Sequence, residues 1–134
     1  MTVVVGYTPT PLGRNVLEAA IGEAARRNVD LVLVNSATGA SYADKGLAPR
    51  GELQQAVTDA EARGVTVRVH QVTDALAPAQ TLLDEAGRAG ADVIVIGLRS
   101  RSRTGKFLMG STAQTVLLSA PCNVLAVRDI SSSD

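Results

Sequence analysis

The sequence predicts an α/β three-layer sandwich built on a parallel sheet, because two hydrophobic periods alternate along it. Five short β-branched runs are expected to be strands: Thr2–Tyr7, Asp30–Asn35, Val65–Val72, Asp92–Gly97 and Asn123–Arg128. Four contain continuous apolar stretches ("VVV", "LVLV", "VIVI" and "VLAV"), which is typical of strands covered on both faces. The third, "VTVRVHQV", alternates apolar with polar residues, so we expect it at an edge of the sheet.

Four amphipathic segments between these runs are predicted to be helices: Pro11–Arg27, Arg50–Arg63, Pro78–Ala89 and Ser111–Ser119. The first starts with Thr10 as N-cap and a proline at the first helical position. Glycine follows the second and third helices, and an Ala-Pro pair follows the fourth. Strand and helix therefore alternate throughout, which predicts right-handed crossovers.

Size and composition predict one folded domain over residues 1–129, with a frayed tail at 130–134. Hydrophobic residues make up 46% of the 134 residues, which excludes a disordered chain. The 13 basic and 13 acidic side chains cancel, whereas a dedicated nucleic-acid binder carries a net basic face. We therefore expect no nucleic-acid partner.

Cysteine content and hydropathy indicate the compartment. The single cysteine excludes an intrachain disulfide and fits a reducing environment. No apolar run approaches the ~20 residues that span a bilayer, so we expect no membrane association. The chain begins with the strand pattern "TVVVGY" and shows no signal-peptide pattern, so a cytoplasmic protein is expected.

One loop concentrates positive charge. Arg99, Arg101, Arg103 and Lys106 lie within eight residues, and Gly110-Ser111-Thr112 then opens the last helix. The loop follows the carboxyl end of a strand, where parallel sheets bind ligands, and a helix amino end attracts anions. An anion site is one interpretation. The other is a solvated loop that ends in an ordinary glycine and a Ser111 N-cap.

The other chemically reactive side chains do not form a recognisable catalytic pattern. His70 lies on the predicted edge strand without metal-ligand spacing around it, and Cys122 begins a strand and is expected to pack as a small hydrophobe. Asp44 and Lys45 lie in a loop that is either a lid or a disordered connection. No Ser-His-acid set or carboxylate pair can be assembled, so we expect no enzyme.

A longer pattern resembles a known family. Gly97-x-x-Ser100, followed by nine residues and then Gly110-Ser111, is similar to the Gly-x-x-Gly-x9-Gly-Ser/Thr signature of universal stress proteins. The stretches "VVVGYTPTPLGRNVLEAA", "ADVIVIGLR" and "SAPCNVLAVR" extend the resemblance over nearly the whole chain. It implies strand order 3-2-1-4-5, as in adenine nucleotide α-hydrolase-like folds. It also implies a cytoplasmic stress-response protein that acts as a dimeric regulatory module.

The ligand implied by the resemblance is an adenine nucleotide: ATP, with Mg²⁺ as its companion, or AMP. By position, the base would lie near Gly6, Thr8 and Ser36 at the ends of the first two strands. The ribose and phosphates would lie on the glycine signature, on the residues Gly97, Ser100, Gly110, Ser111 and Thr112.

Two departures from the family pattern keep alternatives open. Ser100 replaces the second signature glycine, and Thr8 replaces the usual aspartate after the first strand. Arg99 and its neighbours could compensate by binding phosphate. The first alternative is a nucleotide-free module whose arginine loop contacts an acidic protein partner. The second is a slow ATPase, which ranks last because no carboxylate occurs between Val93 and Arg128.

The last strand predicts how the chain assembles. It is apolar, lies at an edge in the implied order, and carries no internal proline or charge to prevent pairing. A two-fold axis would let it pair with its own copy. The residues of this predicted interface are Asn123, Val124, Leu125, Ala126 and Val127.

Overall fold

The computed structural model has the predicted parallel α/β architecture, and it describes residues 1–36, 48–72, 77–98 and 110–128. Strand and helix alternate along the whole chain. The elements are β1 (Thr2–Gly6), α1 (Pro11–Arg27), β2 (Asp30–Ser36), α2 (Arg50–Glu61), β3 (Val67–Val72), α3 (Pro78–Ala89), β4 (Ala91–Leu98), α4 (Ser111–Ser119) and β5 (Asn123–Arg128).

The five strands form one sheet in the order β3-β2-β1-β4-β5, and all neighbours are parallel. β1 lies at the centre, where Val4 is paired with Val32 of β2 and Ile94 of β4. The order implied by the family resemblance is confirmed. The chain moves from β1 outward to β3 and then returns to the other side of β1, so the strand order reverses between β1 and β4.

Each face of the sheet carries its own core, because successive strand residues point to opposite faces. Val3 and Val5 pack with α1 and α2, whereas Val4 packs with α3 and α4. Both cores are mainly aliphatic, with Tyr7 as an aromatic member of the first, and Ile21, Leu31 and Ile94 are among the largest fully buried side chains. Covered on both faces, β1, β2 and β4 are buried over most of their length.

The two sheet edges differ in polarity. β3 is an edge strand with mostly exposed side chains, as its alternating pattern predicts. β5 forms the other edge, and its inner residues are half-buried. Its side chains pack against both cores, as its continuous apolar stretch predicts, but they are less buried than those of the inner strands. Cys122 directly precedes β5, is half-buried and packs against the core that contains Val4. This burial raises the pKa of its thiol.

The helix ends agree with the sequence at α1 and α3. Thr10 Oγ1 accepts a hydrogen bond from the Gly13 amide at 2.9 Å, and Gly90 ends α3 in a left-handed conformation. α2 ends at Glu61, earlier than predicted, because a turn with Gly64 at φ +80° follows it. α4 starts at Ser111 with Gly110 as its cap, so the interpretation of Ser111 as N-cap is wrong.

The histidine lies on β3, as expected. His70 Nε2 is 3.2 Å from Glu85 Oε2 of α3, and the His70 side chain is exposed whereas that of Glu85 is largely covered. Within the described ranges, no group of three or more His, Cys, Asp or Glu side chains could hold a metal ion. None of the described helices is long and apolar enough to cross a membrane.

Candidate functional site

A cleft of about 440 Å³ opens at the carboxyl ends of β1, β2 and β4, next to the amino ends of α3 and α4. This is the edge of the sheet where strand order reverses, and its volume lies in the range of small-molecule sites, about 300–1,000 Å³. The described residues that line it are Gly6, Tyr7, Thr8, Thr10, Leu12, Gly13, Val16, Val34, Ser36, Pro78, Leu82, Ile96, Gly97, Gly110, Ser111, Thr112 and Ala113.

The cleft brings together every predicted site residue that the structure describes. Gly6, Thr8 and Ser36 line one side, at the ends of β1 and β2; we refer to these three residues as the strand end. Gly110–Thr112, at the start of α4, line the other side and form the helix end. Gly97 of β4 also lines the cleft. Residues far apart in sequence thus border one cavity.

Hydroxyl groups supply the polar chemistry of the cleft. Thr8, Thr10 and Ser36 carry them near the strand end, and Ser111 and Thr112 carry them at the helix end. Apolar side chains such as Val34, Leu82 and Ile96 also line the cleft, and Leu82 lies close to Gly6 of the strand end. None of the described lining residues carries a charge. A flat apolar group with hydrogen-bonding edges suits this surface, because a hydroxyl can both donate and accept.

The helix end provides unpaired amides. Among the described residues no side chain caps α4, and its first intrahelical bond closes from the Gln114 amide to the Gly110 carbonyl at 3.0 Å. The preceding amides of Ser111, Thr112 and Ala113 have no acceptor within the part of the chain that the structure describes. Amides in this position, with the positive end of the helix dipole, favour a negatively charged group.

Gly97 requires a correction. The sequence predicted Gly97 as the last residue of the fourth strand, and the family resemblance placed it at the ligand, but β4 continues to Leu98. A Cβ on Gly97 would lie 2.9 Å from Val16 Cγ2 and 3.1 Å from Leu12 Cδ2. The packing of α1 against β4 therefore already requires a glycine here, whatever the ligand.

Gly13 was missed by the sequence argument. It lies in the first turn of α1, lines the cleft, and is buried. A Cβ there would lie 2.8 Å from the carbonyl carbon of Thr8 and closer still to its oxygen. Gly13 thus lets the turn after β1 fold back on α1, which positions Thr8 at the cleft. A glycine three residues after a predicted N-cap was the available signal.

Tyr7 contributes backbone and shape to the cleft, but its hydroxyl has a partner elsewhere. The ring is buried, and the phenol donates a hydrogen bond to the Glu52 carboxylate of α2. Burial and this acceptor raise the pKa of Tyr7 well above its ordinary value. The phenol therefore stays protonated at physiological pH and joins the turn after β1 to α2.

A buried amide lies behind the strand end. Asn35, fully buried in β2, donates from Nδ2 to the Tyr7 carbonyl at 3.0 Å. Its Oδ1 accepts from the Ala48 amide and from Gln71 Nε2 of β3, both at 2.9 Å. Gln71 Nε2 also donates to the Ala48 carbonyl at 3.0 Å. The sequence shows Asn35 only as a polar residue ending an apolar run, so these partners could not be read from it.

Several sequence predictions lie outside the described residues. Arg99 and Ser100 fall there, as do the other cations of the charged loop, Arg101, Arg103 and Lys106. The loop with Asp44 and Lys45, predicted as a lid or a connection, also lies outside the described residues.

The comparisons with known proteins agree with this geometry. The family model described as "Universal stress protein family" matches residues 1–128. This chain belongs to the universal stress protein family. A universal stress protein of Mycolicibacterium smegmatis is 37% identical over 126 residues, which cover 94% of this chain and 96% of the relative.

Two solved structures of the family are similar and contain a nucleotide. A universal stress protein in complex with cAMP has a TM-score of 0.74 and 26% identity, with 95% of this chain and 96% of that chain covered. The universal stress protein from Archaeoglobus fulgidus in complex with dAMP has a TM-score of 0.68 and 25% identity, with coverages of 95% and 97%. The fold of this chain, including its strand order, is therefore that of its family.

Proposed function

We propose that this protein binds an adenine nucleotide in the cleft and acts as a dimeric regulatory module of the stress response. The observation that carries the proposal is the convergence of the strand end and the helix end on one cavity. The two similar structures that hold cAMP and dAMP support the same ligand class. Both ligands share an adenine base and one phosphate.

The chemistry of the cleft fits a base at the strand end and a phosphate at the helix end. The apolar surface of Val34, Leu82 and Ile96 suits the face of a purine, and nearby hydroxyls suit its polar edge. At the helix end, the unpaired amides and the hydroxyls of Ser111 and Thr112 suit phosphate oxygens. The orientation follows from this separation of apolar and anion-binding groups.

AMP-type nucleotides are the first candidates, and ATP with Mg²⁺ is the larger ligand that the family signature implies. Isothermal titration calorimetry with AMP, cAMP, ATP and ATP–Mg²⁺ tests the proposal, with CMP as the matched pyrimidine control. We expect AMP to bind more tightly than CMP, because the smaller base covers less of the apolar surface. The absence of binding by any adenine nucleotide at millimolar concentration would contradict the proposal and favour the nucleotide-free interaction module.

We also propose that the protein performs no catalysis. Activation of water at a phosphate needs a positioned base, and among the described lining residues no carboxylate or imidazole is present to act as one. Incubation with ATP and Mg²⁺ should release no phosphate above the background without protein. Release that Ser111→Ala abolishes would instead establish an ATPase.

For the dimer, we propose pairing through β5. This strand is hydrogen-bonded to β4 alone among the described strands, and its stretch Val124–Val127 carries no charge. An edge of this kind pairs readily with a second copy, and a two-fold axis would satisfy both edges at once.

Light scattering on the protein as it elutes from a size-exclusion column measures its molar mass and so tests for the dimer. We expect a dimer at micromolar concentration and a monomer for Ala126→Lys or Leu125→Lys. Val69→Lys is the matched control, because Val69 is 40% exposed on β3 at the opposite edge. A dimer that survives both β5 changes but is lost in Val69→Lys would place the interface at β3.

A further inference from the structure

We propose that Asn35 is the positioning residue of the strand end, holding the groups that contact the base without touching the ligand itself. This inference rests on the proposed nucleotide function and concerns the same cleft. It starts from the Asn35 network, which among the described residues comprises Asn35, Tyr7, Ala48 and Gln71 with the hydrogen bonds given above.

Because the Asn35 side chain is buried, its polar atoms require hydrogen-bond partners within the protein. Asn35 is 0% exposed, and a buried amide that lacks partners is strongly unfavourable. Both ends of the side chain are engaged: Nδ2 donates to the Tyr7 carbonyl, while Oδ1 accepts from Ala48 and Gln71. A side chain of this shape, with one donor end and one acceptor end, therefore fixes the distance between the turn after β1 and the start of α2.

The network reaches the residues of the strand end through the chain itself. Tyr7 lies between Gly6 and Thr8, which both line the cleft. Asn35 directly precedes Ser36, the third residue of the strand end. Moving the Tyr7 carbonyl or the Asn35 backbone would move these neighbours with it. Gly110–Thr112, by contrast, belong to a different element on the other side of the cavity.

This separation predicts a selective effect. Loss of the bond from Asn35 to Tyr7 should weaken recognition of the base and leave recognition of the phosphate unchanged. A residue needed only for folding would weaken both equally, or neither.

Two substitutions test the donor end. Asn35→Asp keeps the shape and the acceptor for Ala48 and Gln71, and in its ionised form it has no hydrogen to donate to the Tyr7 carbonyl. Asn35→Ser is neutral and too short to span the same distance. Gln71→Met is the matched control, because it removes the bonds from Gln71 and leaves the one to Tyr7 in place. Circular dichroism and thermal melting establish that each variant is folded.

Affinities for AMP and for ribose 5-phosphate, which lacks the base, are then measured by NMR titration. In both Asn35 variants we expect AMP to bind about tenfold more weakly, as for one lost buried hydrogen bond, with ribose 5-phosphate unchanged. In Gln71→Met we expect both affinities to stay within about twofold, well below the effect of one such bond. Folded Asn35 variants that bind AMP like the wild type, or that lose both ligands equally, would overturn the proposal.

A measurement on the unaltered protein covers the case in which both Asn35 variants fail to fold. The Ala48 amide donates to Asn35 Oδ1, so its hydrogen exchange reports on the network. We expect AMP to slow this exchange and ribose 5-phosphate to leave it unchanged. Equal slowing by both ligands, or none by AMP although AMP binds, would overturn the role of Asn35 alone. If the wild type binds no AMP, the proposed function fails as well.

Discussion

The two ends of the cleft are built in different ways. At the strand end, packing and hydrogen bonds fix each turn: Thr10 caps α1, Gly13 admits the turn after β1, and Asn35 joins that turn to α2. At the helix end, Gly110 through Thr112 are exposed, and the first amides of α4 have no partner among the described residues. Among the described residues, the polar groups of the strand end thus have partners within the protein, whereas the first amides of α4 do not.

The space around three glycines of the cleft differs in the same way. A Cβ on Gly13 or Gly97 would overlap with neighbouring protein atoms, whereas a Cβ on Gly110 would meet nothing within 4 Å in the described structure. Gly110 also has an ordinary φ of −68°. Alanine substitutions should therefore separate glycines that the fold requires from a glycine that only a ligand would require.

Gly13→Ala should have the largest effect. The new methyl group would overlap with the Thr8 carbonyl, which is backbone and cannot turn away, so we expect a loss of about 3 kcal/mol or more in the free energy of unfolding. Urea unfolding of the wild type and the variant measures this loss of stability.

The control for this change is Gly22→Ala in the same helix. There the added methyl group would meet only the flexible guanidinium ends of Arg26 and Arg63, at 3.4 and 3.8 Å. Alanine should stabilise α1 at this position by up to about 1 kcal/mol. If both variants unfold at the same urea concentration as the wild type, the close approach of Thr8 to α1 is wrong.

Gly97→Ala should have an intermediate effect. Its neighbours are the side chains of Val16 and Leu12, which can shift partly, so we expect a cost of about 1–3 kcal/mol in unfolding free energy. Thermal melting checks this result. Val16→Ala alone should also destabilise, because Val16 is buried, but in the double variant the total loss should be smaller than the sum of the two single losses. A double variant that loses at least this sum would contradict the packing explanation.

Gly110→Ala should have the smallest effect on stability. Because the position is open, we expect the free energy of unfolding to change by less than about 0.5 kcal/mol, as for other surface substitutions. AMP affinity should nevertheless fall, since the methyl group stands beside the unpaired amides of α4. Calorimetry on the folded variant tests this, and unchanged AMP binding would mean that the ligand does not approach Gly110.

Most of the fold could be predicted from the sequence because its signals are local. The apolar runs of β1, β2 and β4 and the caps at Thr10 and Gly90 are each set by a few adjacent residues. The predicted end of α2 at Arg63 was wrong, because the turn before Gly64 begins two residues earlier.

The site was only partly predictable. Gly6, Thr8, Ser36, Gly97 and Gly110–Thr112 follow from the family resemblance, and the structure places them around one cavity. Gly13 and Asn35 were missed because their roles depend on contacts between separate elements. Gly13 lies against the Thr8 carbonyl, and the described partners of Asn35 lie on three other segments.

The most direct test of the central claim is an NMR map of backbone amide shifts on titration with AMP and, separately, with inorganic phosphate. We predict that phosphate shifts the amides of Ser111, Thr112 and Ala113 alone, whereas AMP shifts these and also Gly6, Thr8 and Ser36. Such a map would place the anion at the helix end and the base at the strand end. AMP shifts confined to surfaces outside the cleft, or identical maps for the two ligands, would contradict the account.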